Sequence, residues 1–276
     1  MSLKSTAKSA LKQFHLYERA KASCLYDLFW RVADKKIIDS RDREIDFYKD
    51  LLVGFRKGGL FFDIGANRGF KTGIFLKMGA TVVAVDPDER NQEVLQQKFL
   101  AYRFRKKPVT LLAKAVSEER GSRTFWIDEP GSAMNTLSEK WVDTLRRDEK
   151  RFGRPLDFRQ NVAVNTITLE DLIRAHGRPF FVKIDVEGHE ANVLAGLKQP
   201  IPYLSFEVNL PEFRNEGLKC IELLEQLAPT GRFNYIIASY PKLSGDWISA
   251  EEFRGVFRRC TEESIEVFWK TMAGLT

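Results

Sequence analysis

The sequence predicts an α/β fold built on a doubly wound, mostly parallel sheet. Three observations carry this expectation. Short apolar runs of strand length recur along the chain without the polar alternation of a sheet that is wetted on one face. Helical stretches separate several of them, the pattern that produces parallel strands with crossover helices. The first run also ends in a glycine-rich turn, Asp63-Ile64-Gly65-Ala66-Asn67-Arg68-Gly69, and the next run ends in an acid, Asp86.

The elements follow in order. Residues 1–58 read as a helical extension. Leu3, Ala7, Ala10, Leu11 and Phe14 share one helical face, Lys4, Lys8 and Lys12 lie on another, and Leu25, Leu28, Phe29 and Val32 continue the spacing. Such a front is expected to cap the main domain, or to touch a membrane surface or cover an active site. From residue 59 to 276 the chain reads as one α/β domain. Leu60–Ile64 is the first strand, Arg68–Met78 a helix stopped by Gly79, and Thr81–Asp86 a β-branched strand ended by Pro87. A second helix follows over Asp88–Arg103. Further strands are expected at Val109–Ala113, Phe180–Asp185, Leu204–Val208, Asn234–Ala238 and Ile265–Trp269, with helices at Thr168–Ala175, His189–Leu197 and Leu218–Leu227. The polar, arginine-rich segment 128–160 reads as a long insertion over the carboxyl edge of the sheet, either a lid or solvated decoration.

Composition narrows the partners only slightly. The 276 residues include 44 Lys+Arg against 38 Asp+Glu, a net charge of +6, and 43% are hydrophobic, enough for a sizeable core. The mild positive balance suits an anionic partner without selecting one. Most of it lies before Gly59, where 13 basic and 8 acidic residues leave +5. The three cysteines, Cys24, Cys220 and Cys260, show no CxxC spacing, so neither a disulfide framework nor a structural zinc site is expected. No run of about 18 apolar residues is present, and the N-terminus lacks a signal-peptide pattern; a cytoplasmic location is the expectation.

The glycine-rich turn is where chemistry enters. In a doubly wound sheet, ligands sit at the carboxyl ends of the strands where the strand order reverses. Gly65 would permit the tight turn and Gly69 a close approach of backbone to ligand. Asp86 would accept hydrogen bonds from ribose hydroxyls. A dinucleotide fits poorly, because the GxGxxG pattern would need glycines where Asn67 and Phe70 stand, and Phe70 would obstruct tight helix–strand packing. No GxxxxGK[ST] phosphate loop occurs.

The turn with its strand-end Asp86 resembles motif I of class I S-adenosylmethionine-dependent methyltransferases. Val182-Lys183-Ile184-Asp185-Val186-Glu187-Gly188-His189-Glu190 adds a second, more specific signature. Together with Val164–Ile173 and Leu204–Asn209, it makes residues 59–210 resemble the FkbM family of methyltransferases. The resemblance implies a Rossmann-like class I methyltransferase fold with a seven-stranded sheet, and O-methylation of a hydroxyl on a sugar, glycan or natural-product small molecule. It implies S-adenosyl-L-methionine as cofactor, with Asp63 near its amino group, Asp86 on the ribose, and Gly65, Asn67, Gly69 and Glu187 around it. It also places Asp185, at the end of the fourth strand, opposite the transferred methyl group.

A hydroxyl is a poor nucleophile at neutral pH and benefits from a general base. His189 is the candidate, since it is the one histidine of three set among acids at a strand's carboxyl end. The helix dipole disfavours its imidazolium, while Glu187 and Glu190 favour it. Asp185, Glu207 and Asn209 form an alternative oxygen set for Mg²⁺ or Ca²⁺. Two rival readings stand beside the enzyme of small molecules. One is an RNA or DNA methyltransferase using the basic stretches 102–107 and 146–159, disfavoured by the interspersed acids and by the absence of an N/D-P-P-Y/F element. The other is a non-catalytic, membrane-associated scaffold acting through residues 1–58.

Overall fold

The computed structural model describes residues 35–104, 108–147, 156–237 and 241–271, with side chains from residue 41 and without that of 104. The basic and apolar stripes read over residues 1–34 lie outside the described residues.

The main sheet has seven strands: β1 (Leu60–Ile64), β2 (Thr81–Val85), β3 (Val109–Leu112), β7 (Phe181–Ile184), β8 (Tyr203–Asn209), β9 (Arg232–Ile237) and β10 (Ser264–Lys270), in spatial order β3-β2-β1-β7-β8-β10-β9. All neighbours are parallel except β10, which runs antiparallel to both β8 and β9. The order reverses between β1 and β7, so their carboxyl ends flank the crevice where a ligand is expected. Burial on both faces explains the continuous apolar runs. Phe62 and Ile64 of β1 join one core, while Phe61 joins the other.

Helices cover both faces. α1 (Lys35–Leu51), α2 (Phe70–Met78), α3 (Glu89–Lys98), α4 (Leu100–Phe104), α5 (Glu139–Arg147), α6 (Leu169–His176), α7 (Glu190–Ala195), α8 (Arg214–Leu227) and α9 (Ala250–Arg259) complete the described set. Local signals account for several of them. Gly79 takes φ 92 and returns its N–H to Leu76 as the stop of α2. Thr168 with Asp171, and Ser249 with Glu252, form reciprocal capping boxes for α6 and α9. α1 is joined to the sheet by aromatic packing. Tyr48 is 1% exposed and meets Phe75 and Phe181 with ring centroids 5.2 and 5.8 Å apart.

The expected strands and the helices at 70–78, 89–98, 169–176, 190–195 and 214–227 stand within a few residues of their sequence reading. Two features differ. A second sheet of three strands is present: β4 (Ala115–Val116), β5 (Gly121–Ile127) and β6 (Gln160–Ile167), ordered β4-β6-β5. Its strands are short or largely exposed, so the hydrophobic pattern that reveals a buried strand is faint in them. The described part of segment 128–160 is also more than decoration. Trp141, Leu145 and Phe158 are fully buried, and Trp141 packs edge-on against Phe213 at 5.4 Å.

Candidate active site

A cleft opens at the β1/β7 switch point. One wall is the end of β1 and its turn (Ile64, Gly65, Asn67), and the next is the end of β2 (Asp86, Pro87) with Asn91 of α3. The opposite wall is the turn after β7, with Asp185, Val186 and Glu187. The small sheet contributes Lys114, Val116 and Phe125, and residues 132–137 close over the top.

The glycine-rich turn is shaped by contact as much as by conformation. Gly65 has φ 78, and a Cβ there would fall 1.7 Å from the backbone oxygen of Asp185. Only glycine lets the ends of β1 and β7 approach so closely. Asn67 takes φ 47, a left-handed conformation that asparagine tolerates better than most residues. It therefore serves where the generic motif carries glycine. Gly69 (φ 70) does not line the cleft; its Cα faces Leu95 and Phe99, and a Cβ would lie 2.6 Å from each. Its smallness seats α2 on α3. Phe70 points outward, 54% exposed, and obstructs nothing.

Asp86 organises the turn around itself. Its carboxylate accepts from the backbone N–H of Asn67 (2.7 Å) and of Asp88 (3.0 Å), and from Asn91 Nδ2 (3.2 Å). Burial pushes its carboxyl up to about 6, and those three hydrogen bonds hold it from rising further. On the same wall, the buried Asn91 Oδ1 has no hydrogen-bond partner. A buried acceptor without a donor is costly. Asn91 Oδ1 fits a ligand that brings a donor, as a hydroxylated nucleoside does.

Asp63 sits deeper than the cleft. It is 1% exposed, accepts from Thr72 Oγ1 of α2, and faces Lys183; burial raises its carboxyl. The turn after β7 gathers acids. Lys183 Nζ donates to Asp185 Oδ2 at 2.6 Å. Burial pulls the Lys183 ammonium down, but Asp185, Glu266 and Asp63 outweigh it and hold it strongly charged. Glu187 (φ 56) is raised well above the usual carboxylate range by burial and by Asp185 and Glu207. Glu190 Oε1 accepts from the N–H groups of Val186 and Gly188, so it is Glu190 that orders this turn. Burial brings its carboxyl up to about 7.

His189 lies apart from the cleft. It stands at the start of α7 but makes no side-chain cap, and its Nε2 is 2.9 Å from Ser117 Oγ beside the small sheet. Burial lowers it to about 4, partly opposed by Glu118, so the imidazole is neutral at physiological pH. Glu187 and Glu190 are not the acids that act on it. Glu207 and Asn209 do not line the cleft either. Glu207 Oε1 accepts from Ser264 Oγ, and Asn209 Nδ2 donates to Glu187 Oε2. Among the described residues no group of three or more His, Cys, Asp or Glu side chains is arranged to hold a metal ion. The Mg²⁺ expectation is thus unsupported, since Asp185, Glu207 and Asn209 are each engaged with a neighbouring side chain.

The sequence reading did not reach Lys114, Val116, Phe125 or Asn91 as cleft residues. The first three arrive on the small sheet or just before it, which had no strong periodic signal. Ser132 and Asn135 line the cleft as well. Among the described residues no helix is long and apolar enough to cross a membrane.

A parallel sheet with one reversed strand next to its far edge, and a ligand cleft at the β1/β7 switch, defines the class I methyltransferase fold. In that fold the strand-two acid, here Asp86, stands at the cleft. The chain belongs to the FkbM methyltransferase family: the Methyltransferase FkbM domain matches residues 63–233. Membership implies S-adenosylmethionine as the methyl donor. Solved structures similar to this chain include the methyltransferase FkbM of Methylobacillus flagellatus KT, at 16% identity and TM-score 0.49 over 78% of this chain and 44% of that one. The chain thus spans less than half the length of that protein. Precorrin-6y C5,15-methyltransferase of Geobacter metallireducens GS-15 is similar at 8% identity and TM-score 0.40, over 84% and 87% of the two chains. A SAM-dependent methyltransferase of Agrobacterium tumefaciens follows at 9% identity and TM-score 0.39, over 83% and 62%. No curated protein matches the chain.

Proposed function

We propose that the protein transfers a methyl group from S-adenosylmethionine to a hydroxyl oxygen of a sugar, glycan or natural-product small molecule. The observation that carries this reading is the set of three carboxylates that line the cleft from two walls. Asp86 closes β2 on one side, and Asp185 with Glu187 follows β7 on the other. Asp86 and Asn91 are placed to take the ribose hydroxyls, and the Gly65–Asn67 turn to hold the amino-acid portion. Asp63 supports that turn from below through Thr72.

The bound donor supplies a sulfonium methyl that leaves as the sulfur takes back its electron pair. The chain's task is to align the acceptor oxygen behind that carbon and to receive its proton. Asp185 and Glu187 are the acids on the cleft wall that can receive it. His189, buried against Ser117, stands away from the acceptor and has no part in the proton transfer. Calorimetry with S-adenosylhomocysteine tests the cofactor half of the reading, and absence of heat with folded protein would overturn it. The acceptor half is tested by transferring labelled methyl into a native extract and identifying the product by mass spectrometry. Label appearing on nitrogen or in nucleic acid would overturn it.

A further inference from the structure

We propose that the acceptor binds in a second groove, between α1, the carboxyl end of β9 and the amino-terminal half of β10, and that it is an uncharged molecule presenting hydroxyl groups. This deepens the hydroxyl-methylation reading and rests on it. The groove lies at the same carboxyl edge of the sheet as the cofactor cleft, on the face covered by α1 and α2. Its floor contains Tyr48, Lys71 and Glu266, and its rim includes Glu44, Phe47 and Leu243.

Register explains why this floor is polar. Asp63 of β1 pairs with Lys183 of β7, and Lys183 with Ser205 of β8. Two residues along, Glu207 of β8 pairs with Glu266 of β10. With period-two alternation, all five side chains stand on one face of the sheet. Lys71, at the first turn of α2, closes over them and donates to Glu44 Oε2 of α1 at 2.7 Å.

Two buried oxygens on residues that line the groove are unsatisfied. Tyr48, 1% exposed, has no partner for its hydroxyl, and Glu266, 9% exposed, has none for Oε1. Native structures seldom leave such groups unpaired. Both residues line the groove. A ligand there must offer a donor to Glu266 and a hydrogen-bond partner to Tyr48, which a hydroxyl does in both directions.

Charge separates hydroxyl from its rivals. Three cations of the groove, Arg43, Lys71 and Lys242, stand against four carboxylates, Glu44, Asp46, Asp50 and Glu266. So even a balance gives no field for a polyanion. An ammonium donor is opposed by Lys71 and Lys183, both of which interact with Glu266. Phe47 offers an apolar ring for the carbon faces of such a ligand.

The two sites are coupled through the same lysines. Lys71 and Lys183 each interact with Asp185 on the cofactor cleft as well as with Glu266 on the groove. Strands β7 and β10 are two sheet spacings apart, about 10 Å, so an acceptor seated on Glu266 must extend over about that distance to present a hydroxyl at Asp185. α1, which lies outside the residues 63–233 matched by the family, thereby sets which acceptor enters.

The test uses the full chain with methyl-labelled S-adenosylmethionine and a small-molecule extract divided by ion exchange into neutral, anionic and cationic fractions. Label is expected in the neutral fraction. Leu243→Trp, which fills the groove, and Glu266→Gln, which removes a carboxylate while keeping the shape, should each lower labelling at least tenfold. Both should keep S-adenosylhomocysteine affinity within twofold, which also reports that they fold. Labelling by Leu243→Trp at the wild-type rate, or label only in a charged fraction, would overturn this inference and leave hydroxyl methylation standing. No label in any fraction from cofactor-binding wild type would overturn both.

Discussion

Asn135 Nδ2 donates to Asp88 Oδ2 across 2.7 Å, a bond between residues 47 positions apart that fastens the segment over the cleft to the end of β2. The same oxygen accepts from Gly131 N–H at 2.9 Å, while Asp88 Oδ1 caps α3 by accepting from the N–H groups of Arg90 and Asn91. One carboxylate thus starts a helix and holds a strap. Further along, Thr136 Oγ1 donates to the carbonyl of Glu187 at 2.7 Å, so the strap is tied to both walls.

These two duties can be separated by mutation. Asp88→Ala is expected to lose the helix cap, about 1 kcal/mol, and to release the strap as well. Asn135→Ala should release the strap alone. Both variants should bind S-adenosylhomocysteine at least tenfold more weakly by calorimetry, but only Asp88→Ala should lose the cap's share of stability in denaturant melts. Wild-type affinity in Asn135→Ala would show that the strap does not hold the ligand.

Acid should weaken cofactor binding through Asp86. Burial has raised its carboxyl to about 6, and on the proposed reading it is the ionised form that accepts from the ribose hydroxyls. Affinity for S-adenosylhomocysteine is therefore expected to be flat above pH 7 and to fall towards tenfold per pH unit below 6. The free protein follows the opposite sign. A folded value above the unfolded one means that this group favours the native state at low pH and ceases to do so as pH rises through 6. The gap in Tm between bound and free protein should thus widen from pH 5 to pH 7. A gap independent of pH would remove Asp86 from the ligand.

Gly65 should be among the least replaceable residues of the turn. In Gly65→Ala the new methyl meets the Asp185 backbone oxygen, which cannot swing aside as a side chain can. We expect a loss above about 4 kcal/mol, or failure to fold, read by denaturant titration. Gly69→Ala meets only the side chains of Leu95 and Phe99, so it should be the milder of the two.

His189→Ala should act on stability before chemistry. It removes one of two partners of the buried Ser117 hydroxyl, which keeps its bond to Glu118, and empties a buried position, so it is expected to cost about 1 kcal/mol or more. At a temperature where the variant is folded, methyl transfer should persist, and its pH profile should keep the wild-type shape. Turnover lost without any change in stability would return the proton-accepting role to His189.

These residues also show what a sequence can and cannot disclose. β1, β2 and β7 were legible because strands buried on both faces must be apolar throughout, and the Gly65 and Asp86 positions followed from where such strands end. The small sheet was not legible. The burial pattern of β6 leaves its first five residues largely exposed, so Val162, Ala163 and Val164 are apolar without marking a core face. The cleft residues that arrive with that sheet, Val116 and Phe125, were hidden with it. His189 shows a third limit. Its neighbours in sequence include Glu187 of the cleft wall and the buried Glu190, but its own ring turns towards Ser117. Sequence adjacency reports composition around a residue, whereas direction depends on the turn that Glu190 holds.

The aromatic seat of Tyr48 bears on how the protein should be handled. The sequence suggests a tidy cut before Gly59, leaving an intact catalytic unit. Yet Tyr48, Leu51 and Leu52 form part of the same core as Phe61, Phe75 and Phe181. A chain begun at residue 59 would display those phenylalanines to water and should be recovered as aggregate, as size-exclusion chromatography would reveal. For expression, crystallisation or domain grafting, the smallest autonomous unit includes α1.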